Sequence, residues 1–167
     1  MKKVTKEQLR DMILRSEDIS NIDYSEIIDM SYMFLGYTNL KEIPHLDTSN
    51  VTNMRYMFDG CTNLKKIPHL DTSNVTNISC MFYNCTNLKE IPHLDTSKVT
   101  DMRYMFKGCT NLKKIPHLDT SKVTNMSSMF HGCENLEYLE CPEDFDSRYF
   151  SKEENPLIYK NYLEMFI

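Results

Sequence analysis

Basic clusters, long apolar runs and paired cysteines are all missing from this sequence, and each absence narrows what the chain does. Its 19 Lys/Arg against 24 Asp/Glu leave a formal charge of −5. The acidic excess sits at the ends: residues 1–37 carry five basic and seven acidic side chains, and residues 143–167 carry three and six. Residues 38–142 hold eleven of each, so no clustered Lys/Arg builds a phosphate-tracking groove, and direct nucleic-acid binding is not expected. No apolar run approaches the ~20 residues of a membrane span. The start, MKKVTKEQLRDMILRSED, is basic but broken by charge and lacks a small-residue cleavage site. That predicts a soluble cytoplasmic chain with no signal peptide, in the host cell's cytoplasm if a phage encodes it. None of the six cysteines forms a Cys-x-x-Cys pair, which argues against zinc. Glycine is scarce, at four residues, and the glycine-rich carboxylate loop of a calcium repeat is absent.

What is present is a repeat. With 41% hydrophobic and 26% charged residues the 167-residue chain is globular in composition. LKEIPHLDTSNVTNMRYMFDGCTN at 40–63 recurs with a 24-residue period at 64–87, 88–111 and 112–135. A decayed copy precedes it, in which Ile22, Asp23, Ser25, Ile27, Asp29, Met30, Met33, Phe34 and Gly36 fit the same frame. Leu136 and Leu139 begin one more unit, which stops at Cys141-Pro142.

Met54, Met57, Phe58 and Cys61 stand at i, i+3, i+4 and i+7, a spacing that predicts about two turns of amphipathic helix in each unit. Asn53, Asn77, Asn125, Asp29 and Asp101 precede the stripe as caps, with the Ser49 column an equal alternative. All four glycines fall in one column after the helix, and Asn84 is its fifth member, so the backbone there is expected to be left-handed. Leu64 to Ile67 reads as a short strand ended by Pro68, as at Pro44, Pro92 and Pro116. Asp47-Thr48-Ser49 and its copies read as side-chain-bonded turns. A two-turn helix is unstable alone, so each unit must bury its stripe on the next. The expected class is an α/β repeat solenoid of about five to six short strand–helix coils. Residues 1–18 form an N-terminal capping helix with Thr5-x-x-Gln8 as its capping box, 19–141 the solenoid, and 142–167 a C-terminal cap covering the last coil through Leu157, Tyr162, Leu163, Phe166 and Ile167.

Asp47-Thr48-Ser49-Asn50-Val51-Thr52-Asn53-Met54-Arg55-Tyr56-Met57-Phe58-Asp59-Gly60-Cys61-Thr62-Asn63-Leu64 resembles the DTSxVTxMxxMFxGCxxL signature of the bacterial surface-protein leucine-rich repeats often called BspA-like. The resemblance covers about residues 19–141. It implies a leucine-rich-repeat solenoid used for binding, with no catalytic site to carry over.

Ladders that occur once per unit read as architecture. Cys61, Cys85, Cys109 and Cys133 are expected as buried thiols, although coils roughly 5 Å apart permit disulfides in principle. Cys80 and Cys141 lie off that column, and Cys80 is expected to be exposed and the more reactive. His45, His69, His93 and His117 form a straight column that offers at most two ligands to one ion, and stacked imidazoles oppose each other's protonation. The Asp47, Asp71, Asp95 and Asp119 column suits turn capping. Asn39, Asn63, Asn87, Asn111 and Asn135 suit an asparagine ladder bonding backbone at the bend. The glycosylation patterns at Asn50 and Asn74 read as incidental. No unique nucleophile–base set, metal site or cofactor site emerges, so no enzyme activity is expected.

Function then rests on the positions that vary between units. Arg55-Tyr56 and Arg103-Tyr104 are identical pairs 48 residues apart, with small Ser79 and Cys80 between them. They outline a saddle between two ridges, with Tyr83 and Lys107 beside it, suited to an acidic or aromatic protuberance. The second-choice face is the strand-side row Lys65, Lys66, Lys89, Lys113 and Lys114. The expected function is a monomeric, non-enzymatic protein-binding module, an intracellular binder or inhibitor of a partner such as a host enzyme. The competing reading is a surface or virion attachment module.

Overall fold

The computed structural model describes residues 1–139. The chain opens with a two-residue strand β1 (Lys2–Lys3), a helix α1 (Lys6–Leu14) and a strand β2 (Ile22–Asp23) that pairs in parallel with β1. The capping box forms: Gln8 N–H donates to Thr5 Oγ1, and Thr5 N–H donates to Gln8 Oε1 at 3.0 Å. Leu9 and Ile13 of α1 are buried in the core. The Lys6 ammonium donates to the Ser31 carbonyl at 3.1 Å. In later units the carbonyl of this column accepts an amide from the coil before it, as when Tyr32 N–H donates to Arg55 O. Lys6 thus terminates the ladder.

The units then stack in register. Asp29, Asn53, Asn77, Asp101 and Asn125 are linked in sequence by isolated parallel bridges. Phe34, Phe58, Phe82, Phe106 and Phe130 stack nearly parallel, with ring centres 5.6 to 6.0 Å apart. Around this column lie the buried methionines of the units and rows such as Leu46, Leu70, Leu94, Leu118 and Val51, Val75, Val99, the Leu and Val rows at most 1% exposed. A coil of 24 residues is too small to close a core of its own, so its apolar side chains are covered by its neighbours. Near the end, β3 (Lys114–Ile115) pairs in parallel with β4 (Tyr138–Leu139). The cap expected over 142–167, and Cys141, lie outside the described residues.

The helix expected over Met54–Cys61 does not form, and α1 is the only helix among the described residues. Its place is taken by two linked four-residue turns. Met57 N–H donates to Met54 O and Cys61 N–H to Phe58 O, while the alternate amides of Met54, Tyr56, Phe58 and Gly60 donate to Asn77, Ser79, Met81 and Tyr83 of the next coil. Each turn carries one left-handed residue, Tyr56 at φ +57° and Gly60 at φ +73°. Two turns of period four place apolar residues at i, i+3, i+4 and i+7 as a helix does. The competing hydrogen bonds to the next coil decide between them. Of the strand expected in every unit, only the Glu90–Lys114 bridge and the β3–β4 pair form among the described residues.

Left-handed backbone recurs at Asn84, φ +54°, in the glycine column, as expected from the sequence. The Asn53 column caps these turns, with Arg55 N–H donating to Asn53 Oδ1 at 3.1 Å and the Ser31, Ser79, Arg103 and Ser127 amides bonded alike. The Ser49 column instead bonds backward: its amide and hydroxyl both donate to Asp47 Oδ1. The Asn87, Asn111 and Asn135 amides donate across to Thr62, Thr86 and Thr110 carbonyls of the preceding coil at 2.7–2.8 Å.

Candidate functional site

The left-handed residue of the first turn is Tyr32, Tyr56, Cys80, Tyr104 or Ser128 in successive coils, with φ between +49° and +59°. A bulky residue with positive φ is an outlier. Because Cys80 and Ser128 adopt the same φ as the tyrosines, the geometry belongs to the coil and not to the side chain. It aims this column outward, next to the Leu35, Asp59, Tyr83, Lys107 and His131 column. The variable positions are therefore brought onto one face.

Tyr32 and Tyr56 stack at 4.9 Å between ring centres, with an 8° interplanar angle. In the next coil Cys80 interrupts the ladder, and Tyr104 resumes it one coil further on. Tyr56, Asp59, Cys80, Tyr83, Tyr104 and Lys107 line a depression of about 240 Å³ at this interruption. The Arg55 guanidinium carbon lies 4.8 Å from the Tyr56 ring centre, and Lys107 Nζ lies 5.3 and 5.8 Å from those of Tyr104 and Tyr83. Arg103 is tied to its own coil, its Nε 3.0 Å from Asp101 Oδ2. Asn53 stands in the acidic position before Arg55, and Arg55 Nε is buried without a hydrogen-bond partner. Of the four sequence-selected ridge residues, Tyr56 and Tyr104 line the hollow together with Tyr83 and Lys107, on turns and not on helices, whereas Arg55 and Arg103 are not part of its lining. Asp59, which no motif of the sequence singles out as a site residue, completes the lining. Burial raises its carboxyl above the usual range.

Cys80 departs from expectation. It is 2% exposed and forms the floor of the hollow. Burial raises its thiol pKa, and a hydrogen bond with this thiol raises that of the Tyr56 phenol. The other cysteine column is fully enclosed. Cys61, Cys85, Cys109 and Cys133 donate their thiols to the Phe34, Phe58, Phe82 and Phe106 carbonyls at 2.9–3.1 Å. Desolvation pushes Cys61 and Cys133 up to about 12 and holds Cys85 and Cys109 well above the ordinary thiol range. Cys61, Cys80, Cys85 and Cys109 form no disulfide.

Lys65, Lys66, Lys89, Lys113 and Lys114 are all exposed. Lys113 Nζ pairs with Glu137 Oε1 at 3.1 Å. Lys65 and Lys113 amides donate to the Lys41 and Lys89 carbonyls, so the row's backbone is engaged between coils. His45, His69, His93 and His117 are exposed, and no group of His, Cys, Asp or Glu among the described residues is placed to hold a metal. No helix among the described residues is long and apolar enough to cross a membrane.

Similar coils bonded edge to edge and repeating every 24 residues define a tandem-repeat protein. A family model described as "Mycoplasma protein of unknown function, DUF285" matches residues 5–114 and 85–140, and the chain belongs to that family. Neither the curated proteins nor the solved structures yield a match.

Proposed function

We propose that this protein is a non-enzymatic protein-binding module of the leucine-rich-repeat solenoid class, close in kind to the BspA-like surface repeats. The observation that carries this reading is the hollow at Cys80. It gathers variable side chains into one shaped site, while the repeated apolar and cysteine columns are buried in holding the coils together. Tyr56 and Tyr104 offer large contact area at low entropic cost, and Arg55 carries a buried Nε with its hydrogen bond unmade. An acidic or aromatic protuberance of a partner fits such a face. The thiols donated to carbonyls suit a reducing compartment, which favours an intracellular binder that occupies or inhibits its partner.

The test is affinity capture from lysate of the source cells or their host, with the retained protein identified and its affinity then measured. Replacing Tyr56 and Tyr104 together by Ala should leave the fold intact and weaken binding by at least about 2 kcal/mol. Normal binding by that double variant, combined with loss on changing Lys65, Lys89 and Lys113 to Glu, would move the site to the lysine row.

A further inference from the structure

The tyrosine ladder lacks one ring, and the gap is bounded on both sides. Tyr32 on Tyr56 shows the filled state of the column, two rings 4.9 Å apart and nearly parallel. Across Cys80 the next tyrosines, Tyr56 and Tyr104, stand two coils apart, roughly 10 Å at ordinary strand spacing. That separation is what one more ring of this column would fill, because offset-stacked rings sit ~4.5–7 Å apart. The gap has a floor in Cys80 and a side wall in Tyr83. Arg55 is not among the residues lining it.

We propose that this gap is a slot for a single phenol ring, a tyrosine side chain presented by the partner. The inference rests on the binding role proposed above and names what enters the site. Two polar groups in the lining select the ring's substituent. The Asp59 carboxylate has no hydrogen-bond or ion-pair partner among the described residues and accepts from a phenolic hydroxyl, and the Lys107 ammonium donates to the same oxygen. A cation is the other group that tyrosine faces attract. Here Lys107 already lies 5.8 and 5.3 Å from the ring centres of Tyr83 and Tyr104, so a second positive charge would be repelled.

The chain supplies its own plug. Cys80 has φ +55°, and Tyr56 and Tyr104 occupy the same column at +57° and +56°, so Cys80→Tyr fits the existing backbone and fills the slot from within. The full chain is titrated with N-acetyl-tyrosinamide and followed by the ring resonances of Tyr56, Tyr83 and Tyr104. Parallel titrations use N-acetyl-leucinamide and N-acetyl-lysinamide. Saturable shifts are expected with the tyrosine probe alone, weakened at least tenfold in Cys80→Tyr. Tyr104→Ala, which removes one wall and adds nothing, should weaken the probe as well and decides the matter if Cys80→Tyr fails to fold. Absence of saturable shifts in the parent chain, equal shifts with the leucine probe, preference for the lysine probe, or undiminished binding by the folded variants would each overturn the slot. A partner lost on Tyr56→Ala with Tyr104→Ala, in a protein that ignores the tyrosine probe, would leave the binding face standing without it. Probe binding with no captured partner would do the reverse.

Discussion

Cys80 sits where the sequence gives it two meanings, a missing tyrosine and a lone thiol. Its outward column makes the thiol look accessible, but the flanking rings and the neighbouring coil cover it to 2% exposure. Burial raises its pKa, so little of the nucleophilic thiolate exists at neutral pH. Site-resolved alkylation should therefore find Cys80 as slow as Cys61, Cys85, Cys109 and Cys133 in the native protein, with all five fast in urea. Labelling of Cys80 at the rate of a free thiol would show that the flanking rings do not cover its sulfur in solution. Exposure is not uniform along this column, because it depends on the size of the neighbours each member stacks with.

At the scale of the coil, the Met-x-x-Met-Phe-x-Gly-Cys run yields turns because its alternate amides are taken by the next coil. Apolar spacing does not distinguish two period-four turns from a helix, and the Tyr56 column, bulky and left-handed, carries no residue-type signature that would have exposed it. The glycine column did carry one, since Asn84 is the residue that best shares left-handed backbone with glycine. The Asp-Ser turns, the asparagine ladder and the buried cysteine column were also readable, because each repeats its bonding chemistry at a fixed offset. Gly60→Ala isolates the backbone cost. Its new Cβ would lie 3.5 Å from Gly36 Cα, an ordinary contact, but at φ +73°. We expect a loss of about 1–2 kcal/mol in chemical denaturation. Asn84→Gly should change stability by less than about 1 kcal/mol. A neutral Gly60→Ala would mean that this turn is not left-handed in solution.

The whole stack shares its charges and its core. The Asp23, Asp47, Asp71, Asp95 and Asp119 carboxyls are held below the usual range by the serine hydroxyl, and then by the amide, two residues on. A folded-state pKa below the unfolded one contributes stability above the unfolded value, and that contribution is lost as pH falls through the folded value. The urea midpoint should therefore drop between about pH 5 and about pH 2, where these groups protonate, and removing the Ser49 and Ser73 hydroxyls should flatten that dependence. A midpoint unchanged over this range would show that the turns do not discriminate the ionised form. The coils form one body, with the repeated Phe, Met, Leu and buried Cys columns spent on stacking. Phe82→Ala tests this most directly, because its ring is fully buried between Phe58 at 5.6 Å and Phe106 at 5.7 Å in the middle of the column. Urea denaturation followed by tyrosine fluorescence and by thiol accessibility should give one coincident transition, lowered by about 3–5 kcal/mol in the variant. Separate transitions for the two probes in the parent protein, or a loss below about 1 kcal/mol in the variant, would contradict it.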